Sequence, residues 1–251
     1  MTMPMTPRPS LSLVFPVFDE VENLGELIDT ALAIATRLAP AWPDFEIVLV
    51  DDGSRDGSGE LIDALCARDP RIVSVRHESN RGYGAALRSG LRAARGELVF
   101  FSDADLQFDL TEIEKLLEYT HRFDIVAGYR HPRRDPWPRT LLALGWGVLV
   151  RALFGLRVRD IDCAFKVFHR RVLEAMPIES LGAFVNTEIL ARAVAAGYRI
   201  HQVPVSHRRR RFGVQSGASP RVIWRALREL LALSGELRRT RAPASRRCAS
   251  S

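Results

Sequence analysis

One short stretch constrains the fold of this chain more than any other, because a run of apolar residues in it ends in closely spaced carboxylates. Residues 98–107 have the sequence LVFFSDADLQ, in which Asp103 and Asp105 follow four consecutive apolar side chains and a serine. Such a run predicts a strand that is buried on both faces. Ligands of open α/β sheets bind in the crevice outside the carboxyl ends of the strands. The sequence therefore predicts a ligand site just after residue 102.

Oxygen-bearing side chains at Asp103, Asp105 and Gln107 fall on one predicted turn. Carboxylate and amide oxygens suit a hard divalent cation such as Mg²⁺ or Mn²⁺, which completes its shell with water and substrate phosphate. The alternative is an acidic turn that caps a helix beginning near Leu110, since Asp is common in turns and at helix caps. We favour the metal site because acidic residues also follow other predicted strands.

Those other strands lie upstream. In residues 45–54, FEIVLVDDGS, Asp51 and Asp52 end a predicted strand and precede a Gly-Ser turn. In residues 11–20, LSLVFPVFDE, Asp19 and Glu20 follow another predicted strand. Parallel strands place their carboxyl ends at one edge of a sheet, where ligands bind. The segments together therefore predict an acidic rim at that edge.

Length and composition indicate one large α/β domain. Of the 251 residues, 47% are hydrophobic and 26% are charged, which is ordinary for a soluble domain with a sizeable core. No apolar run reaches the roughly 18 residues of a membrane span, and residues 1–10 have no signal-peptide core, so a cytoplasmic protein is expected. The three scattered cysteines are expected to be reduced thiols. The formal charge of +6 favours anionic partners.

Helical and strand patterns alternate over the first half of the chain, which predicts a doubly wound, mostly parallel sheet flanked by helices. We expect a flexible N-terminus at 1–10, one domain at 11–235 and a disordered basic tail at 236–251. The predicted helices cover 22–38, 56–67, 85–95 and 184–196, with an amphipathic helix at 220–239, and further strands cover 71–76, 123–127 and 198–205.

Residues 141–156 are apolar on nearly every side, and Arg151 is their one charged residue. Either a buried helix or a helix partly exposed to a membrane or lipid ligand explains this composition. Basic residues lie at Arg133, Arg134 and Arg139 and in the run 207–211. These are either solvated surface or contacts to phosphate.

An ordered set of motifs resembles a known enzyme family. The motifs are PVFDE at 16–20, VDDGSRDG at 50–57, NRGYG at 80–84, DADLQ at 103–107, AGYR at 127–130, RDIDCAFK at 159–166 and VPVSH at 203–207. Each motif is weak alone, but the ordered set is similar to the family 2 inverting glycosyltransferases of the GT-A fold. The resemblance is to the branch of dolichol-phosphate mannose synthase and the bacterial polyprenyl-phosphate glycosyltransferases. It implies a GT-A, Rossmann-like sheet, here followed by the C-terminal amphipathic helix.

The resemblance also implies roles for individual residues. Asp103, Asp105 and Gln107 would meet Mg²⁺ or Mn²⁺. Arg130, Arg134 and Arg139 would bind the acceptor phosphate, and Asp105, Arg130 and Asp160 would take part in the reaction. The donor nucleotide would contact Pro16, Phe18, Glu20, Val50, Asp52, Asp103, Ala104 and Arg210.

The expected chemistry is transfer of a sugar from a UDP- or GDP-linked donor to a polyprenyl phosphate at the inner face of the membrane. Cations stabilise the charge that develops on a departing nucleoside diphosphate. An alcohol acceptor would need a general base, whereas a phosphomonoester is mostly dianionic at neutral pH because its second pKa is about 6. The acidic rim argues against nucleic acid at the site.

Two alternatives stay open. One is an enzyme of the same fold that glycosylates a soluble or protein-bound acceptor. The other is a nucleotide-binding, membrane-associated protein without turnover, which the intact Asp-x-Asp-x-Gln motif disfavours. The helix predicted from Pro220, with arginines on its polar side, is expected to lie at a membrane interface or to pack on the domain.

Overall fold

A computed structural model describes residues 10–132, 137–208, 210 and 220–241, and gives the side chains of these except at 137–143, 220–223, 240 and 241. The described residues form a seven-stranded sheet flanked by helices. The strands are β1 (Leu11–Val17), β2 (Phe45–Asp51), β3 (Ile72–Arg76), β4 (Leu98–Ser102), β5 (Ile125–Arg130), β6 (Phe165–His169) and β7 (Ile200–Val205). The helices are α1 (Val21–Leu38), α2 (Ser58–Arg68), α3 (Tyr83–Ala93), α4 (Ile113–Leu117), α5 (Trp137–Phe154), α6 (Arg170–Glu174), α7 (Val185–Ala195) and α8 (Pro220–Arg241).

The order of the strands places a crevice at the predicted site. Across the sheet the order is β3-β2-β1-β4-β6-β5-β7. Strands β1 to β4 are parallel to their neighbours among themselves, and β5 is parallel to β7. The chain moves outward from β1 to β3 and then crosses to β4 on the other side of β1. This reversal of direction opens a crevice outside the carboxyl ends of β1 and β4, where α/β proteins bind ligands.

Helix α1 shows how the sequence specifies these elements. Leu24, Leu27, Ile28 and Ala31 are at most 1% exposed and recur at the spacing of one helical face. The helix ends at Leu38, two residues before Pro40, which has no backbone N–H to continue the helical hydrogen bonds.

The predicted elements are confirmed, with shifted ends. The largest shift is at the start of α5, which was predicted at Leu141 and begins at Trp137. The helix predicted near Leu110 is a 3₁₀ turn, Leu110–Glu112, that continues into α4. Both described cysteines, Cys66 and Cys163, are free thiols, as expected.

Strand β6 is an element that the sequence did not predict. It lies antiparallel between β4 and β5 and is buried, including Lys166. A lysine within so short an apolar run obscures the strand pattern. Aromatic packing makes the strand continuous with the core, because the Phe165 ring lies 4.8 Å from that of Phe100, which in turn lies 6.4 Å from that of Phe15. The short helix α6 that follows was also not predicted.

The ends of the domain differ from the expected boundaries. Ser10 is tied to the residue before β2, since its backbone N–H and its hydroxyl both donate to the carbonyl of Asp44 (2.8 and 2.7 Å). Helix α8 extends past the predicted start of the tail at 236, and Arg192 of α7 donates to Glu236 at 2.7 and 3.0 Å. Residues 1–9 and 242–251 lie outside the described residues. Among the described helices, none combines the length and the apolar character needed to cross a membrane.

The turn after β2 gives a test of the fold. Gly53 has φ +75°, and a Cβ there would lie 2.6 Å from the backbone of Ser79. Gly53→Ala should therefore lower the free energy of unfolding by at least about 2 kcal/mol. The matched control is Gly25→Ala, within α1, where a Cβ would meet nothing within 4 Å and where alanine should stabilise the helix by up to about 1 kcal/mol. Urea unfolding measures both, and similar values for the two variants would contradict this account.

Candidate active site

The loops after β1 and β4 bring carboxylates together at the edge of the sheet. Glu20 follows β1 and Asp105 follows β4. The Arg210 guanidinium contacts Glu20 and lies 3.7 Å from Oδ2 of Asp105. Asp103 is close enough to Asp105 for that charge to raise its pKa. We refer to Glu20, Asp103 and Asp105 as the acidic edge.

Hydrogen bonds between the loops after β1 and β2 fix the position of Glu20. The Asp19 N–H donates to Oγ of Ser54 (3.0 Å), and the Arg55 N–H donates back to Oδ1 of Asp19 (2.8 Å). The Glu20 N–H donates to Oγ of Ser58 (3.0 Å). The two segments therefore hold each other, and the hydroxyls of Ser54, in the Gly-Ser turn, and of Ser58, at the start of α2, contribute to the site.

Two non-glycine residues at the site have left-handed backbone conformation: Asp19 with φ 53° and Leu106 with φ 57°. Asp tolerates this region, but a leucine there is an outlier that costs of order 1 kcal/mol or more. Leu106 lies between Asp105 and Gln107, and the Gln107 N–H donates to Oδ1 of Asp105 (3.1 Å). Strain of this kind concentrates at functional sites. The turn thus holds Asp105 in one orientation at some cost in stability.

Asp103 has the electrostatic properties expected of a cation ligand. Burial and the neighbouring charge of Asp105 raise its pKa to about 7, and burial also raises the pKa of Asp105. Among the described residues, Oδ1 of Asp103 has no hydrogen-bond partner, and neither has the buried hydroxyl of Tyr83. The two groups are near enough to affect each other's pKa. Unpaired buried oxygens and mutually repelling carboxylates would both be relieved by a divalent cation.

The donor set also fits a magnesium-type ion. The described residues contain no group of three or more His, Cys, Asp or Glu side chains arranged around a metal position. Mg²⁺ commonly uses only one or two carboxylates and completes its shell with water and substrate phosphate. The side-chain NH₂ of Gln107 donates to the carbonyl of Arg208 (3.1 Å). This hydrogen bond does not use the amide oxygen, which is the atom that would bind a cation.

The residues expected at the donor differ in their exposure. Phe18 is 43% exposed at the rim. Pro16, Val50 and Ala104 are buried, so their side chains lie beneath the surface at this edge. Asp52 is 2% exposed and accepts hydrogen bonds from the Arg81 and Gly82 N–H groups (3.0 and 2.9 Å). Its carboxylate therefore faces the loop before α3, an arrangement that the sequence did not reveal.

Arg130 and Asp160 were expected as separate functional groups, but the structure pairs them. The Nε and Nη2 atoms of Arg130 donate to the two carboxylate oxygens of Asp160 (2.6 and 2.8 Å), and the Arg130 backbone N–H donates to Oδ2 (3.2 Å). Each side chain is 8% exposed. A buried bidentate pair neutralises both charges, so neither residue acts as an isolated ion. Of the other acceptor-phosphate candidates, Arg134 lies outside the described residues, and Arg139 lies in α5 where side chains are not described.

Lys166 is a buried cation beneath this region that the sequence did not single out. It is 1% exposed, and its Nζ donates to the carbonyls of Ile161 (3.2 Å) and Cys163 and to Oδ1 of Asn186 (2.8 Å). Its charge lowers the pKa of Asp103, while burial lowers its own pKa. The one sequence signal was a lysine in an otherwise apolar run, PheLysValPhe at 165–168. The positive charge of Lys166 thus offsets part of the negative charge of the acidic edge.

Comparison with solved structures identifies the fold as GT-A. Glucosyl-3-phosphoglycerate synthase from Mycobacterium tuberculosis, in complex with UDP, matches with a TM-score of 0.69 at 20% identity, over 90% of this chain and 80% of that one. The complex of the same enzyme with Mg²⁺ and UDP matches with a TM-score of 0.68 at 21% identity, with the same coverage. At such identities the similarity is one of fold.

Sequence comparison then gives the family. The profile described as "Glycosyl transferase family 2" matches residues 12–181, and the chain belongs to this family. An undecaprenyl-phosphate 4-deoxy-4-formamido-L-arabinose transferase from Pectobacterium atrosepticum is 34% identical over 81% of this chain and 61% of its own length. The corresponding transferase from Pseudomonas paraeruginosa is 39% identical over 66% and 49%, and glycosyltransferase AglD from Haloferax volcanii is 32% identical over 78% and 32%. The chain thus matches from about a third to three fifths of the length of these relatives.

The buried pair gives a second test. Arg130→Met leaves the Asp160 carboxylate buried without its cation, and the free energy of unfolding should fall by about 3–5 kcal/mol. Adding Asp160→Leu should recover most of this loss, because no uncompensated charge then remains. The control pair is Arg37–Glu114, at 2.6 Å but about half exposed, whose removal should cost under about 1 kcal/mol. Denaturant unfolding in a double-mutant cycle measures both, and equal coupling energies for the two pairs would contradict the assignment.

Proposed function

We propose that this protein transfers a sugar from a nucleotide-sugar donor to a polyprenyl phosphate by a single, inverting displacement. The main supporting observation is the acidic edge, which lies where the strand order reverses between β1 and β4. It has an unpaired buried carboxylate oxygen, and Arg210 lies across it. The relatives named as undecaprenyl-phosphate transferases support this acceptor class. Because the chain matches only part of their length, the activity and both substrates are part of the proposal.

The donor site follows from the charges at the edge. Asp103 and Asp105 would hold Mg²⁺ or Mn²⁺, with Gln107 able to add a neutral ligand. The ion supplies Lewis-acid stabilisation of the departing nucleoside diphosphate. Arg210 lies across Glu20 and Asp105, where its guanidinium can meet a diphosphate oxygen. Phe18, at the exposed rim, offers an apolar surface to the base.

The state of Asp160 favours a phosphate acceptor over an alcohol. Its carboxylate oxygens accept three N–H groups of Arg130, so this carboxylate would have to give up part of that pairing before it could take a proton from an acceptor. An alcohol would need a strong general base to lose its proton. A lipid phosphate is already mostly dianionic near neutral pH, since its second pKa is about 6. The chain needs only to bind and orient such an acceptor.

Exposed apolar residues on two helices would bring the protein to the membrane. Helix α7 packs against both α5 and α8. On α5, Val150 and Phe154 are buried, while Leu144 and Val148 are 61% and 67% exposed. On α8, Leu230 and Leu233 are buried, so each helix packs on the domain with one side. The outer side of α8 carries Trp224 and Leu231, 66% and 68% exposed, together with the exposed arginines Arg225, Arg228, Arg238 and Arg239.

The direct test is to incubate the purified protein with a panel of labelled UDP- and GDP-sugars, polyprenyl phosphate and Mg²⁺ or Mn²⁺. Label should enter the organic phase, and an α-linked donor should give a β-linked product, as read from the anomeric proton coupling.

Asp105→Ala should lower the rate by at least about a hundredfold, and Gln107→Ala should lower it less because water can replace a neutral ligand. Asp63→Ala, a carboxylate 58% exposed and away from the edge, is the matched control.

Three outcomes would contradict the proposal. They are label transferred only to a water-soluble acceptor, an α-linked product, and full activity of Asp105→Ala. Titration calorimetry of Mn²⁺ with UDP or GDP gives a readout that does not depend on turnover: Asp105→Ala should abolish the metal-dependent part of nucleotide binding, whereas Asp63→Ala should retain it.

Membrane contact is tested by sedimentation with vesicles that contain anionic lipid. Each basic residue near such a surface contributes about 1 kcal/mol, so the protein should pellet at low salt and be released at high salt. Replacing Trp224 and Leu231 by serine should weaken pelleting without loss of thermal stability, because both side chains are about two-thirds exposed. Replacing Leu32, a partly buried residue of α1, by serine controls for the loss of an apolar side chain elsewhere. Equal pelleting of both variants would contradict the assignment of this face.

A further inference from the structure

A chain of hydrogen-bonded side chains lies behind the donor site. The imidazole of His77 joins Oδ1 of Asp52 through Nδ1 (2.6 Å) to Oγ of Ser89 through Nε2 (2.9 Å). His77 is 6% exposed and Asp52 is 2% exposed. Because a carboxylate oxygen accepts, Nδ1 carries the proton, and in the neutral ring Nε2 then accepts from the Ser89 hydroxyl. Three elements are linked in this way: the ends of β2 and β3 and the second turn of α3.

The inner end of this chain fixes the loop before α3. The Asp52 carboxylate also accepts from the N–H groups of Arg81 and Gly82. Gly82 has φ +98°, and a Cβ there would lie 2.5 Å from the carbonyl oxygen of Leu181, so the backbone at this point has little room to move. Tyr83, whose hydroxyl lies near Asp103, follows directly. The orientation of Asp52 therefore determines where the first residue of α3 meets the acidic edge.

His77 is suited to hold that orientation. Its backbone N–H donates to the carbonyl of Asp51 (2.9 Å), and both ring nitrogens have partners, so the ring is fixed from three directions. Oδ1 of Asp52 accepts from both the Arg81 N–H and the His77 ring, and Oδ2 accepts from the Gly82 N–H, so the imidazole adds a side-chain donor in a fixed position to the two backbone donors. Metal sites use the same device: residues that do not touch the metal hydrogen-bond to its ligands and so fix their orientation.

We propose that His77 is a positioning residue for the nucleotide donor, which acts by holding Asp52 and, through it, the Arg81–Gly82 loop. This inference rests on the proposed function, since it concerns the donor site of that reaction. The bond to Asp52 carries the effect, and the bond to Ser89 holds the ring. Removing the first bond should weaken donor binding more than removing the second.

Two substitutions separate the bonds. The amide nitrogen of asparagine lies close to the position of imidazole Nδ1, so His77→Asn keeps a donor toward Asp52 and loses the contact to Ser89. The amide of glutamine reaches the position of Nε2, so His77→Gln keeps the contact to Ser89 and loses that to Asp52. Each variant forfeits one side-chain hydrogen bond, and their thermal stabilities should fall by similar amounts. His121→Gln, at an exposed position, controls for the substitution itself.

Calorimetry with UDP and GDP in the presence of Mn²⁺ measures donor binding by the full chain. His77→Gln should raise the dissociation constant at least about tenfold, the equivalent of about 1.4 kcal/mol, and should speed hydrogen exchange at the Arg81 and Gly82 amides. His77→Asn should stay within about threefold of the wild type. If His77→Gln does not fold, His77→Ser, which removes both bonds with a small side chain, should show the same loss of affinity.

Equal affinities of the Asn and Gln variants would overturn the inference and leave the proposed function standing. The same holds if the Asn variant binds more weakly than the Gln variant. A wild-type protein that binds neither nucleotide would overturn both.

Discussion

The burial of negative charge at the carboxyl edge of the sheet is the constraint on which the rest of this structure depends. Oδ1 of Asp103 is buried without a hydrogen-bond partner among the described residues, and an unpaired buried carboxylate oxygen is costly. The parallel half of the chain, up to Asp105, provides the carboxylates. The second half provides the cations, namely Lys166 from β6 and Arg210 from the segment after β7. Since neither half balances its own charge at this edge, the two halves form one functional unit.

The distinction between local and long-range information explains what the sequence could predict. The strand at 98–102, its two carboxylates and the helices of the parallel half were predicted because apolar periodicity and turn residues are local signals. The pairing of Arg130 with Asp160 was not, because it joins residues thirty positions apart that the motifs present as separate groups. The inward orientation of Asp52 escaped prediction for the same reason: its partners lie on another loop. Strand β6 was missed because its central lysine breaks the apolar pattern, and only the fold shows that this lysine is satisfied by the carbonyls of Ile161 and Cys163 and by Asn186.

The two apolar helices of the second half show a different limit of sequence patterns. Either burial or exposure could explain α5, and any surface helix has an amphipathic pattern like that of α8. In the structure, each helix has one side buried against the domain and another side exposed. Trp146 of α5 donates to Oγ1 of Thr187 on α7 (3.2 Å), and Arg192 of α7 binds Glu236 of α8, so α7 fixes both helices. Large apolar side chains nevertheless remain exposed on each of them. Helices that pack on the domain with one side and expose apolar residues on the other are typical of a surface that contacts a membrane or a partner.

A comparison of two carboxylates at opposite edges of the sheet separates structural from functional charge. Glu46, near the amino end of β2, is 2% exposed and fully engaged: it accepts from Oγ of Ser12 (2.6 Å), the Arg95 N–H (2.5 Å) and Nε of Arg95 (2.9 Å). Asp103, at the opposite edge, has a buried oxygen with no partner among the described residues and a carboxylate neighbour that repels it. Buried polar groups in folded proteins are almost always paired, and departures from this rule concentrate where a site is prepared for a ligand. The strained backbone of Leu106 lies in the same turn. The carboxylate of Glu46 at the amino edge is thus satisfied by the protein itself, whereas Asp103 at the carboxyl edge has an unpaired oxygen that a cation would satisfy.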